Sequence, residues 1–272
     1  MTTPNSPVSR TVKVMVRANS LAKQLTRVAL DTPSQPVRVL FTKEGMSVWT
    51  HDLTKTMHVF LTHAPLEDYK RKEDCIMLVN PKEFADLLST KFRDQQVRIS
   101  TEAHKPITIQ EKTTKQFVGR VVYHSADEDD CAIVPDRWQM PESRTKPGWK
   151  SIPQQGGETC TTRIEISRCE LVKGVVDMQV ANAPYCQFVF TPKVSFVGSG
   201  HWGSKTNSSQ SVIECKVEGH KNTEIGLTNT LTQVLSMTEG DDFILHKHKA
   251  TPFIIMECGD MECVVAETTK EV

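Results

Sequence analysis

The glycines and histidines of this chain invite a search for chemistry, and their spacing answers it. Gly198-Ser199-Gly200-His201-Trp202-Gly203 is rich in glycine, but Ser204 stands where a phosphate-binding loop has its lysine, and no helical pattern follows. It therefore lacks the ammonium and the helix N-terminus of a phosphate-binding loop and reads as a surface loop. His246 and His248 alternate onto one face of a strand, and Cys258 and Cys263 lie on the hairpin that follows. Imidazole and thiolate are metal donors, yet this spacing is not a ligand pattern, and cysteines in apolar strands are usually core. No Cys, His or Asp is spaced to pair a nucleophile with a base. The 8 cysteines include no C-x-x-C pair. In a chain of this size they read as reduced thiols in an intracellular compartment. Cys75, Cys215 and Cys263 sit in strand patterns and read as small core residues. The expectation is a protein with no catalytic residue, no metal and no cofactor.

What remains is charge. Lys plus Arg number 33 and Asp plus Glu also 33, so no global basic charge announces a polyanionic partner. A local one is still open. Lys23 and Arg27 stand four apart on a helical pattern, away from its apolar positions Leu21, Leu25 and Val28. Lys82 and Lys91, with Arg93 just beyond, belong to a second helix, and Arg168 and Lys173 to a third. Taken alone, such cations most often only solvate an exposed helix face. Their meaning depends on whether the fold brings the helices to one surface.

The elements that would do so recur in a fixed order. Thr11 to Arg17 alternates like a strand, Asn19 is a candidate N-cap, and Leu21, Leu25, Val28 and Ala29 follow at helical spacing. Strands are predicted at Val37 to Thr42, Met46 to His51 and Thr56 to Thr62. The order repeats with a strand at Cys75 to Val79 and a helix opened by Asn80-Pro81, asparagine as cap and proline at the first helical position. Strands at Gln95 to Thr101, Pro106 to Glu111 and Phe117 to Tyr123 complete this second unit. From Ser125 to Thr159 the composition turns to an acidic run, Asp127 to Asp130, then scattered Pro and Gly. Beyond it the unit returns twice. Thr162 to Ser167 precedes a helix lined by Leu171, Val172, Val175 and Val176. Strands are then predicted at Gln187 to Phe190, Lys193 to Val197 and Ser211 to Val217, with a Gly/Ser-rich loop at Gly198 to Ser209. The last unit runs from Glu224 through a helix with Leu231, Val234 and Leu235 to Glu262 to Ala266.

Four βαβββ units paired into two halves predict an α+β chain with helices on one side of curved antiparallel sheets. The boundaries drawn from these patterns are an N-terminal domain over 10–126, a connector with an insertion over 127–158 and a C-terminal domain over 159–272. The rival is an unrelated α+β scaffold, a hydrolase or a metalloprotein, which the fourfold order disfavours. No stretch approaches the roughly 18 apolar residues of a membrane span.

Several local segments carry a resemblance. Phe41 to Val48 with His51-Asp52-Leu53, then Leu78-Val79-Asn80 with Phe84 and Leu87-Leu88, resemble the proliferating cell nuclear antigen family of DNA sliding clamps. So do Ala250 to Ile255 and Gly259 to Ala266. The departures are a longer connector, Glu267 where the family has Pro, Asp86 where it often has Lys, and an overall neutral charge.

The resemblance implies a non-enzymatic polymerase processivity factor. Such a ring, three subunits closed head to tail, would encircle duplex DNA without reading sequence, inside the cell in the nucleus or in the cytoplasm or nucleoid. Lys23, Arg27, Lys82, Lys91, Arg93, Arg168 and Lys173 would then face DNA. A groove for DNA polymerase and other clamp-binding peptides would involve His51, Leu53, Ile133, Val134, Pro252, Val264 and Ala266. Ile107, Ile109 and Trp202 would lie at the subunit interface, and a separate clamp loader would supply the ATPase. A subunit of a heteromeric checkpoint-type clamp is the nearest alternative.

Overall fold

In a computed structural model, the structure describes residues 11–30, 35–52, 56–101, 105–113, 116–124, 142–152, 157–180, 185–190, 194–202, 205–219, 225–228 and 230–266. Contacts divide the chain into two compact units, Met1–Leu53 with Val59–Ile133 and Thr54–His58 with Val134–Val272.

The first unit opens with β1 (Val12–Arg17), α1 (Ala18–Val28), β2 (Val37–Thr42), β3 (Gly45–His51), β4 (Met57–Ala64) and the short β5 (Lys70–Arg71). It continues with β6 (Cys75–Val79), α2 (Pro81–Lys91), β7 (Gln96–Thr101), β8 (Ile107–Lys112) and β9 (Phe117–Tyr123). The strands run in the orders β4-β3-β2-β6 and β5-β1-β7-β8-β9. Each module thus lends its first strand to the other: β1 pairs with β7, and β6 with β2, both antiparallel. Alternation in sequence becomes alternation in burial, with Val12, Val14 and Val16 of β1 and Val97 and Ile99 of β7 fully enclosed. Leu21, Leu25 and Val28 of α1 and Phe84 and Leu88 of α2 supply the helical side of that core, and the two helices lie against each other.

The second unit contains β10 (Ser151–Ile152), β11 (Glu158–Thr159), β12 (Thr162–Ser167), α3 (Arg168–Val180), β13 (Tyr185–Phe190), β14 (Val194–Trp202) and β15 (Lys205–Val212). After β16 (Cys215–Gly219) come β17 (Ile225–Thr228), α4 (Thr230–Met237), β18 (Asp242–Lys247), β19 (Phe253–Cys258) and β20 (Met261–Ala266). Its orders, β15-β14-β13-β17 and β16-β12-β18-β19-β20, repeat those of the first unit strand for strand. Even the extra strand on the outer side of the first module recurs, β5 beside β1 and β16 beside β12. The chain is α+β with antiparallel sheets and few helices, as the fourfold order predicts.

The second helix starts as expected. The Asn80 side chain accepts a hydrogen bond from the Glu83 backbone N–H at 3.2 Å, with Pro81 at the first helical position. Asn80→Ala should therefore cost about 1 kcal/mol, read as a lower urea midpoint with unchanged slope.

The first helix does not start as expected. α1 begins at Ala18 with Arg17 at the cap and no side-chain cap bond, and the Asn19 amide donates instead to the Asp94 carboxylate. The Gly198 to Ser209 stretch is also not a loop. It forms most of the β14–β15 hairpin, with Gly198 opposite Ser209 and Ser199 opposite Ser208. Backbone pairing makes this hairpin, and Gly, Ser, Thr and Asn carry no alternation from which to read it. The single strand predicted over Ser211 to Val217 is two, the end of β15 and β16.

Candidate nucleic-acid interface

The cations singled out in the sequence fall into two groups. Lys23 on α1, Lys82 and Lys91 on α2 and Arg93 just after it have exposed side chains, as does Lys173 on α3. Glu83 and Asp86 of α2 are exposed beside them, so the helical surface is only weakly positive. Arg93 takes a positive φ of 39° at the end of α2, and its carbonyl accepts the Asn19 N–H.

Arg27 and Arg168 are placed otherwise than expected. Arg27 is 7% exposed, and its guanidinium donates to Gln24 Oε1 at 2.6 Å on the same helix. Arg168 is consumed by α4. Its Nε donates to the Gly240 carbonyl at 2.7 Å, Nη1 to that of Leu235 at 2.9 Å, and Nη2 to both the carbonyl and hydroxyl of Thr238 at 2.8 Å. The guanidinium carbon also lies 5.2 Å from the centre of the Phe243 ring. A helix end leaves carbonyls without partners, and this arginine supplies donors to them. Spacing alone cannot distinguish such a clamp from a phosphate contact.

α3 departs in a second way. Leu171 and Val175 are buried, but Val172 and Val176 are 40% and 48% exposed. The predicted apolar lining thus splits into a core pair and a solvent-facing pair one turn apart. Between them, Lys173 Nζ donates to the Val212 carbonyl at 3.1 Å and lies 3.8 Å from Glu170.

Of the residues assigned to a peptide groove, Leu53, Ile133 and Val134 lie outside the described residues. His51 is nearly buried; its ring packs edge-on to Trp49 and its Nδ1 is 2.7 Å from the Asp52 carbonyl. With Thr50, Leu30, Gln35, Pro81 and Lys82 it lines a small hollow at the junction of α1 and α2. Pro252 is exposed, Val264 is 1% exposed, and Ala266 is half-buried with its N–H donated to the Thr56 carbonyl. Val264 therefore belongs to the core and presents no side chain to a ligand.

Of the residues assigned to a subunit interface, Ile107 and Ile109 are placed otherwise than expected. Ile107 and Ile109 are fully buried on β8, which has β7 on one side and β9 on the other. The edge of that sheet is β9. Trp202 ends β14 opposite Lys205, inside a hairpin whose edge strand is β15.

The histidine and cysteine group is not brought together. Cys258 and Cys263 share the core face of β19 and β20 with Met256, while His246 pairs with Ile255 on the opposite face. His246 Nε2 is 2.8 Å from Glu257 Oε2, and His248 Nε2 is 3.3 Å from Glu158 Oε2. Among the described residues no three His, Cys, Asp or Glu side chains are arranged to hold a metal ion. Burial raises the thiols of Cys75 and Cys215 to about 11 and that of Cys160 to about 12, which favours the protonated thiol over the nucleophilic thiolate.

One cluster escaped sequence reasoning. Lys150 Nζ lies 2.8 Å from Glu257 Oε1 and 2.5 Å from Glu262 Oε2, with its side chain only 16% exposed. Burial opposes the charge on Lys150, but the two carboxylates outweigh it and raise its pKa. Burial also opposes the charge on Glu257, yet the His246 hydrogen bond and Lys150 hold its carboxyl below the usual range. Glu262, more deeply buried, is raised by burial, with the Glu257 charge adding to the rise and Lys150 opposing it. The three residues lie more than 100 positions apart in part, and no spacing signals them.

The duplicated arrangement, two pairs of βαβββ modules that exchange first strands, is the fold of the DNA clamps. No protein-family model matches the chain, and no curated protein matches it by sequence. The crystal structure of Proliferating Cellular Nuclear Antigen from Entamoeba histolytica does match. It superposes with a TM-score of 0.64 over 96% of this chain and 100% of that one, at 9% identity. The chain therefore has the clamp fold of proliferating cell nuclear antigen, reached with almost no shared sequence. Among the described residues no helix is long and apolar enough to cross a membrane.

Proposed function

We propose that this chain is a subunit of a sliding clamp for DNA replication and repair, a non-enzymatic ring that encircles duplex DNA and carries partner proteins along it. The supporting observation is the position of its exposed apolar side chains. Among the described residues the large ones are Val122, Val172, Val176 and Val212. Val122 is on β9 and Val212 on β15, and both strands are sheet edges in their own units. Val172 and Val176 flank Lys173, whose ammonium reaches the Val212 carbonyl.

Long edge strands with apolar side chains are aggregation templates unless something pairs with them. In this reading β9 of one copy adds to β15 of the next, and the head-to-tail contact closes at three copies. The domains drawn at 10–126 and 159–272 are then the two half-units of a pseudo-sixfold ring, joined by the 127–158 connector.

DNA contact falls to Lys23, Lys82, Lys91, Arg93 and Lys173. Arg27 is left out because it is buried and Arg168 because its guanidinium is held at the end of α4, whereas Lys173, although it also donates to the Val212 carbonyl, stays exposed. Few cations and no base-reading residues suit a sequence-independent, sliding contact. Partner peptides would dock near Pro252 and Ala266. A clamp loader would open the ring.

Two measurements test this. Purified protein should have a mass near three subunits, and Val172→Glu with Val176→Glu should shift it to one; parent protein that stays monomeric overturns self-assembly and favours a heteromeric clamp. Stimulation of a cognate polymerase on long primed template should fall at least about tenfold in Lys23→Glu with Lys173→Glu. Parent-level stimulation in that variant would remove the DNA assignment.

A further inference from the structure

The five-stranded sheet of the first unit has two unlike faces. One carries the enclosed residues of β1, β7 and β8, such as Val14, Ile99 and Ile109. The alternate positions face solvent, and strand pairing sets them in rows. One row crosses all five strands. Lys70 of β5 lies opposite Met15 of β1, Met15 opposite Arg98 of β7, Arg98 opposite Gln110 of β8, and Gln110 opposite Arg120 of β9. Lys13 stands two residues before Met15 on one side of this row, and Lys112 two residues after Gln110 on the other. Lys13, Lys70, Arg98, Lys112 and Arg120 are all exposed, and no outward position of these strands is aspartate or glutamate. Among the described residues no carboxylate pairs with Lys13, Lys70, Lys112 or Arg120. Only the corner at Arg17 is neutralised, by Glu67 and Asp68.

The equivalent sheet of the second unit is built otherwise. There Arg163 of β12 meets Glu165 and Glu218, and Lys216 of β16 lies 2.7 Å from Glu218 and 3.5 Å from Glu165. Its outward cations are thus answered by carboxylates on the same face. The chain is neutral as a whole, with 33 basic and 33 acidic side chains. A basic face on one sheet is therefore a local excess, assembled from five strands and invisible in any one stretch of sequence.

We propose that this sheet face is a second, sequence-independent contact for duplex DNA, on the side of the unit opposite α1 and α2. From Lys70 to Arg120 the row covers four strand spacings, roughly 19 Å at about 4.8 Å each. That length follows roughly five phosphates of one strand at about 3.4 Å of rise each. The neutral outward positions support the same contact. Gln96, Ser100, Thr108 and Gln110 are donors of the kind that bind phosphate oxygens without reading bases. β1, β7 and β8 place no aromatic residue among those positions, so the face has neither a platform on which bases stack nor the anchor that an acidic peptide would bury. The inference rests on the charge pattern of one unit and is independent of ring formation.

The probe is a short labelled duplex titrated into the full-length protein at low salt, followed by fluorescence anisotropy. Lys13→Glu with Lys70→Glu should weaken binding at least about tenfold, and Lys13→Gln with Lys70→Gln should lower the slope of log affinity against log salt by about 2. Parent-level affinity and slope in these variants overturn the proposal. Amine-reactive labelling of the parent locates the duplex without any substitution. Bound duplex should protect Lys13, Lys70 and Lys112, and protection confined to Lys23, Lys82 and Lys91 would place the DNA on the helices and overturn the proposal. A polyglutamate peptide that binds the parent where the duplex does not would assign the face to an acidic protein segment, which overturns it equally.

Discussion

Lys150→Met is expected to cost the second unit about 3–5 kcal/mol at neutral pH, because it leaves Glu257 and Glu262 facing each other in a buried site without a cation. The loss should depend on pH, and the sign follows from the carboxyls. In the parent, the depressed Glu257 contributes stability that is present above the usual carboxyl pKa and is lost as pH falls through its folded value. The raised Lys150 contributes stability that is fully present below the usual lysine pKa and is lost as pH rises through its folded value. The raised Glu262 acts the other way in the acid range, favouring the fold as pH falls because its neutral form tolerates burial. In the variant both carboxyls lose their cation and rise, so its deficit should shrink as pH drops from neutral toward the carboxyl range. Urea midpoints of the two proteins at several pH values measure this. A deficit that is constant with pH would mean that Lys150 acts by packing its methylenes and not by charge. Glu262→Gln in the Lys150→Met background should recover part of the loss at neutral pH.

Arg168→Ala should lower stability by about 3 kcal/mol, since the carbonyls of Leu235, Thr238 and Gly240 lose their donors together. Lysine should not rescue it, because one ammonium cannot reproduce a planar fork that reaches three carbonyls. The same variant separates two roles for this side chain. If Arg168→Ala unfolds at the parent's midpoint yet loses polymerase stimulation, the residue is a DNA contact after all. A lowered midpoint with normal stimulation below it assigns the residue to the α4 terminus.

These two residues show where sequence reasoning stops. Arg168 stands one turn from Lys173 on the same helix, and from spacing both are surface cations. Only the approach of α4, some 70 residues later, distinguishes a clamped arginine from an exposed lysine. Arg27 is similar, since its place four residues after Lys23 says nothing of the Gln24 oxygen that holds it. The β14–β15 hairpin failed for another reason. Its residues carry little hydrophobic pattern, and its existence rests on backbone pairing with a neighbour. Conversely, the Asn80-Pro81 start of α2 was legible because capping is settled within four residues.

The amino-acid order determined by itself the four βαβββ modules, the α+β class and the core strands Val12–Val16 and Val97–Ile99, because alternation and helical spacing are local consequences of side-chain geometry. Tertiary structure alone decided which cations remain exposed, that Ile107 and Ile109 are interior, and that Lys150 meets Glu257 and Glu262. Those outcomes depend on which distant strand or helix comes to lie beside a residue. Burial and charge pairing are properties of that neighbourhood and leave no periodic trace in the chain.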